Sequence, residues 1–522
     1  MPKTRARIAM GDWRGGVNED DQPSALQANE LRIARNVYLK GTALSARNGF
    51  TRLQTTAINS SAAGVGVWQL ARTQGTVLDF IAVFGNQFLS DVKNATPTNR
   101  TGTITITAGQ NNLVTFTNFN DVAIMCNGVD APWQWSGSGN ASVLGGSPPI
   151  FNTMLAKWNR VFGAGHAAAP RTIRHTTIGT AETWTSSLTV AAILGDATSA
   201  IEGRDFIWQL GHLGDSMFVG LQNSLGRVIY TGDATTPFRY TQLADFGIEG
   251  AHVYVAYGPI GYFLSRRGVH RISPDETGLT YESSLISGRK LRKTWDELNK
   301  ARIRYSYGTL YRTVDGNTLI LWPLTTGGGT IHNIMLVMDV TDGPGSESFW
   351  WWSGWDANAM ASVINASSRD EELLKVTTAG FVDQCDDDTD DNTAAYTAEA
   401  ATRWEDFGLP AQKKNFRDLY LELKQTGTFN LNIDAYYDYA TTVSQRLTQT
   451  TAGAAQASWN GSPVAAVWNT ALWPTLGVIR SYLLGVDDGV TLSLRFYTSG
   501  ANQPWSVYRA IPSVEAIGES QE

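Results

Sequence analysis

The chain has 522 residues, 42% of them hydrophobic and 17% charged, with a formal net charge of −7. Its length predicts about two to four domains, or one large repeat architecture. The excess of acids excludes a general nucleic-acid-coating role, which needs clustered Lys and Arg, and apolar runs no longer than that at 334–338 exclude a membrane-spanning helix.

The 51 Gly and 18 Trp suit many short strands joined by tight turns. Cys126 and Cys385 are too far apart in sequence to set a disulfide framework or a zinc spacing. The first residues are basic with no apolar stretch behind them, so no secretory signal and no membrane anchor are expected.

Residues 1–59 read as an opening cassette. Lys3, Arg5 and Arg7 make a basic tip, with Trp13 behind it. Pro23-Ser24 followed by Leu26, Leu31, Ile33 and Val37 predicts a short helix or turn leading into a strand over 35–39. Lys40-Gly41 then turns into a second strand over 43–47, a pair suited to closing a sheet.

From 60 to 395 a hairpin unit recurs, most plainly at 251–272. Val253, Val255 and Tyr257 alternate with His252, Tyr254 and Ala256, the period of a half-buried strand. Gly258-Pro259 breaks the run, a strand follows over 262–265, and Arg266-Arg267-Gly268 reads as a three-residue hairpin into a third strand over 269–272. Comparable units surround Gly85-Asn86, Asn127-Gly128, 163–165, 223–226, 327–329 and Ala379-Gly380. A spacing of about 40–60 residues overlaps the length of a four-stranded propeller blade. The expected fold is therefore all-β, with an irregular β-propeller-like repeat domain over 60–395, and a β-sandwich as its rival.

Three stretches interrupt the repeat. Leu291, Trp295 and Leu298 give an amphipathic helical face, and Arg289, Lys290, Arg292 and Lys293 cluster at its start, as a solvated helix end or as a patch for an acidic partner. Trp350, Trp351, Trp352 and Trp355 either fill a gap between blades or sheets, or anchor a subunit interface. The stretch DQCDDDTDD at 383–391 reads as a solvated, self-repelling linker, with a hard-cation site as the competing reading.

Residues 396–522 form a third region. Leu419, Leu421 and Leu423, then Phe429, Leu431, Ile433, Ala435 and Tyr437, then Leu492, Leu494 and Phe496 each alternate with polar residues. These are two-faced strands of a C-terminal β-sandwich. The small residues at 448–457 predict an exposed loop.

No nucleophile elbow, phosphate loop or H-E-x-x-H motif occurs, and the six histidines have no metal-ligand spacing. No catalytic residue, metal site or cofactor is assigned, and the chain is expected not to be an enzyme.

The opening GGVNEDDQPSALQANELRIARNVYLKGTALSARNGF resembles the start common among tail proteins of short-tailed bacteriophages, through Gly15, Gly16, Asn18, Pro23, Asn29, Glu30, Asn36, Gly41, Leu44, Arg47 and Gly49. With the propeller-like middle, RWEDFGLPAQKKNFRDLYLEL after the acidic break and the final strands, the whole chain resembles the tail hub or nozzle family, also called tail tubular or DNA-stabilisation proteins. The resemblance implies a non-enzymatic virion protein, assembled in the host cytoplasm as a ring of about six copies below the portal–adaptor complex. The ring would retain packaged double-stranded DNA without reading its sequence, pass it on ejection, and carry tail fibres or spikes. Lys3, Arg5, Arg7 and Trp13 are the candidate adaptor contact, and Trp350, Trp351, Trp352 and Trp355 the candidate interface aromatics. Two alternatives stand beside this reading: a carbohydrate-binding or carbohydrate-cleaving propeller acting on the host receptor, and another phage structural component.

Overall fold

The computed structural model describes residues 5–20, 26–184, 186–189, 205–233, 236–275, 280–410, 412–424, 429–451 and 478–517. Short antiparallel strands dominate. There are six separate four-stranded sheets and a seventh quartet, Thr309–Arg312 to Ser348–Ser353; all but the last blade's sheet run in sequence order from an innermost to an outermost strand. The innermost strands are Gly64–Arg72, Thr115–Phe119, Thr153–Lys157, Ile207–Leu213, Val255–Tyr257, Thr309–Arg312 and Ala359–Ile364. Each packs on the next, and the last packs on the first, where the Gln69 amide exchanges two hydrogen bonds with the backbone of Ile364, at 2.7 and 2.9 Å. The ring is a seven-bladed β-propeller.

Blade five shows how the sequence makes the unit. Its strands Val255–Tyr257, Ile260–Ser265 and Gly268–Pro274 are completed by Tyr281–Leu285. The hairpin at Arg266-Arg267 has two residues rather than three, because Ser265 pairs directly with Gly268. Residues 276–279, before the blade's outermost strand, lie outside the described residues.

Blade seven is closed from the other end of the chain. Its outermost strand is Phe50–Arg52, antiparallel to Val382–Cys385, with Arg52 opposite Asp383. The ring is thus latched by the N-terminal segment, and a gap in the propeller is avoided without an extra C-terminal strand.

The C-terminal region is a β-sandwich. One sheet holds Val478–Gly489, Lys414–Lys424, Ser506–Ala516, Ala43–Ala46 and Val37–Lys40, with Arg5–Arg7 on the edge of Ser506–Ala516. The other holds Glu30–Arg35, Ala398–Thr402, Leu492–Thr498, Phe429–Tyr437 and Gln445–Thr451. The expected inward residues Leu419, Leu421, Ile433, Leu494 and Phe496 are fully buried in one core. Residues 448–451, expected in a loop, belong to the strand Gln445–Thr451, and 452–457 lie outside the described residues.

The opening cassette is not a unit of its own. Residues 5–46 supply strands to both sandwich sheets, and 50–52 supply one to the propeller. The second sandwich sheet also continues into blade six, because Glu30–Arg35 runs parallel to Ser348–Ser353 and antiparallel to Ala398–Thr402. Backbone hydrogen bonding therefore passes unbroken from propeller to sandwich in a ten-stranded sheet.

Candidate functional site

The joint between the two bodies is built from the residues of the opening stretch. Asn36 sits between two strands with φ of 54°, a left-handed conformation that Asn tolerates better than most residues. Its side chain donates to the Thr397 carbonyl at 2.7 Å and to Ser353 Oγ at 2.9 Å, and its Oδ1 accepts from Ser353 N and Arg47 Nε. Arg47 is wholly buried. Its remaining four donor positions reach both Asp391 oxygens at 2.8 and 2.7 Å, the Asn48 carbonyl at 2.9 Å and the Ser353 carbonyl at 2.8 Å. All five guanidinium donors are therefore satisfied, which a buried charge requires. The Tyr396 ring covers its face at 4.1 Å.

A second anchor lies at Glu30. Its buried carboxylate accepts from Asn18 Nδ2 at 2.7 Å and from the Gln27 backbone N–H at 2.8 Å, and pairs with Lys290 of the propeller at 3.0 Å. Burial would raise its pKa, but these donors outweigh that and hold it below the usual carboxylate range. Nearby, Gly16 has φ of 65°, and a Cβ there would stand 2.7 Å from the Phe349 carbonyl. A Cβ on Gly49 would lie 1.6 Å from the Asp390 carbonyl, so the chain can pass there only as glycine.

The acidic stretch at 383–391 is part of this joint and not a solvated linker. Asp383, Asp390 and Asp391 are buried. Asp383 pairs with Arg52 at 3.0 Å and with buried Lys375 at 3.2 Å, which lock the latching strand. Asp386 accepts from Tyr311 O–H at 2.8 Å and Asn48 Nδ2 at 2.9 Å. The carboxylates face different protein donors, and among the described residues no acidic or histidine cluster could hold a metal ion.

The four clustered tryptophans are buried within the chain. Trp350, Trp351, Trp352 and Trp355 are each no more than 3% exposed, in or just after the outermost strand of blade six, against the sandwich. Trp352 Nε1 donates to the Val37 carbonyl at 3.0 Å. They fill the seam between sheets, and no face of theirs is left for a second subunit. Trp13 is also buried, donating to the Tyr508 carbonyl at 3.3 Å. Arg7 is exposed and lies over the Tyr420 ring at 4.8 Å. Arg5 sits in the edge strand opposite Glu515, and Lys3 lies outside the described residues.

No family model and no curated protein sequence matches the chain. Solved structures that resemble it are β-rich. The Cps50 (Swd1) β-propeller domain of Myceliophteria thermophila is 8% identical and covers 64% of this chain and 98% of its own, with a TM-score of 0.40. BamB from Moraxella catarrhalis is 12% identical over 64% of this chain and 97% of its own, at 0.34. An exo-β-1,3-galactanase from Phanerochaete chrysosporium is 10% identical over 90% and 100%, at 0.25. The propeller is established by the strand pairing itself.

The propeller axis is crossed at one end. His252, just before blade five, meets Thr115 Oγ1 of blade two across the ring at 3.0 Å. Tyr307, just before blade six, stacks on His252 at 4.6 Å and donates to the Val114 carbonyl at 3.3 Å. Burial pushes the His252 pKa down to about 3, so the ring is neutral and suited to this dry contact. None of the seven innermost strands contains an Asp or Glu. A carboxylate pair for glycoside hydrolysis is therefore not supplied by the strands that face the axis. Beside the joint lie a cleft of ≈ 450 Å³ lined by Trp13, Asn317, Asp339 and Thr341 and one of ≈ 360 Å³ lined by Glu19, Arg32, Lys293 and Trp404.

Proposed function

We propose that the chain is a structural tail protein of a short-tailed bacteriophage, a hub or nozzle subunit that works as a ring below the portal–adaptor complex. One observation carries this reading. Gly16, Asn18, Glu30, Asn36, Arg47 and Gly49, through which the opening resembles that family, converge on the joint between propeller and sandwich. These six residues thus share one physical role, the rigid coupling of two β bodies. A subunit that holds pressurised DNA needs such coupling more than it needs a catalytic cleft.

In this reading the DNA passes between copies, since the propeller's own axis is crossed by His252 and Tyr307. The partners are further copies of the chain, the adaptor protein, fibres or spikes, and the duplex. A carbohydrate-cleaving alternative would have to draw its carboxylates from loops, since the seven innermost strands contain none.

The test is DNA retention. Particles assembled without this chain should package DNA and then lose it to nuclease, and adding purified protein should restore protection. Particles that stay protected without it would contradict the proposal.

A further inference from the structure

The up-and-down order of the blades fixes which turns share an end of the propeller. Turns between first and second strands all lie at one end. Turns between second and third strands, with the connections from blade to blade, lie at the other.

Sorting the exposed charges by end gives two unlike surfaces, one with mostly acidic turns and one with a cluster of cations. At the first end, Asp121, Asp215, Asp315 and Asp370 stand exposed in the turns of blades two, four, six and seven. Arg369 is the cation within those seven turns, and exposed Arg312 at the edge of the blade-six turn pairs with Glu371 at 3.1 Å. At the other end, Arg266 and Arg267 form the second turn of blade five. Arg289, Arg292 and Lys293 stand exposed on the connection to blade six, and Arg304 follows them. Buried Trp295 donates Nε1 to the Arg266 carbonyl at 3.2 Å, which holds the short helix Arg292–Glu297 beside that turn. Glu249 pairs with Arg266, Asp296 lies 3.9 Å from Arg292, and exposed Asp245 and Glu297 are the other acids there, so cations outnumber acids around blade five. Arg267, Arg289 and Lys293 hold no ion pair among the described residues.

A chain with an overall excess of acids thus concentrates cations at one end of its propeller. We propose that the two ends are complementary halves of a head-to-tail contact between copies of this chain, the arginine-rich end of blade five meeting the acidic end around Asp315 and Asp370 of the next copy. The chemistry is guanidinium on carboxylate, which arginine makes in a bidentate geometry. Two-fold pairing through either end would set like charge on like. Head-to-tail pairing sets opposite charges together, and contacts of that type close into rings or run on as filaments. The inference rests on the ring reading above and supplies its contact.

The test uses the full chain at low salt, with mass measured in solution. Wild type should self-associate, and raising salt from about 0.05 to about 0.5 M should reverse this, since screening shortens to a few ångströms. Arg267→Glu with Arg292→Glu should weaken association at least about tenfold, as should Asp315→Lys with Asp370→Lys, both with wild-type circular dichroism. An equimolar mixture of the two variants should assemble again, because the altered ends are complementary to each other. A wild-type chain that stays monomeric, or a mixture that fails to recover, overturns the contact. So does a result in which only the arginine changes matter and what they abolish is binding of a labelled DNA duplex. These outcomes are separate from DNA retention in particles, which tests the tail reading itself.

Discussion

The guanidinium of Arg47 lies bidentate on the Asp391 carboxylate, at 2.8 and 2.7 Å, across 344 residues of sequence. The pair fastens the N-terminal segment to the stretch that leaves blade seven for the sandwich, and its other bonds reach blade six at Ser353. One buried charge thus closes three junctions at once.

Removing that charge should be costly. Arg47→Ala leaves Asp391 buried without its partner, and a loss of about 3–5 kcal/mol is expected. Arg47→Lys should recover little, since an ammonium cannot reproduce five donors in a planar fork. Chemical denaturation measures both, and a lysine variant as stable as wild type would contradict the geometry.

Two glycines should respond differently to the same change. Gly49→Ala drives a methyl group into the Asp390 carbonyl, 1.6 Å away, so a loss above about 3 kcal/mol is expected. At Gly41 a Cβ meets nothing within 4 Å, and only the φ of 61° opposes it. Gly41→Ala should therefore cost about 1–2 kcal/mol. Thermal unfolding of the two variants side by side checks the order.

The latch predicts the effect of truncation. A chain beginning at residue 60 lacks the fourth strand of blade seven, the Arg52–Asp383 pair and Arg47. It should lose fixed tertiary structure, seen as weakened near-ultraviolet dichroism and rapid proteolysis. A native-like truncated protein would show that the opening stretch is dispensable for the fold.

Buried histidines set a pH dependence. Burial holds His252 at about 3 and His332 at about 4, below the ordinary value. Between about pH 6.5 and 4 the unfolded chain binds protons that the folded chain refuses. Stability should therefore fall as pH falls through that window, by at most about 1.4 kcal/mol per pH unit for each group. His252→Gln, neutral at every pH, should flatten the slope of the unfolding midpoint against pH. An unchanged slope would contradict a neutral, buried His252.

Much of the fold was legible because it is local. Alternation at 429–433 marks a strand directly, since one face is buried and the other is not. In blade five only Val255–Tyr257 of the alternating run is strand, and His252 and Tyr254 are buried like Val253 and Val255 because neighbouring elements cover both sides. The helical face at Leu291, Trp295 and Leu298 is buried as its spacing predicts. What escaped the sequence is long-range. Asp383 and Asp391 look solvated because an acidic run carries no sign of Lys375, Arg52 or Arg47, which fold onto it from elsewhere. The four tryptophans fit an interface and an interior equally well until the ten-stranded sheet encloses them. The cassette reads as separate because, beyond its own hairpin over 37–46, its strands Glu30–Arg35, Ala43–Ala46 and Phe50–Arg52 find partners more than 300 residues away.

The most direct measurement of the tail reading is the mass and image of the full chain mixed with its adaptor ring. About six copies in a closed ring on the adaptor, with an axial pore between the copies, is the expected result. A dispersed monomer that leaves the adaptor unoccupied at micromolar concentration would contradict it.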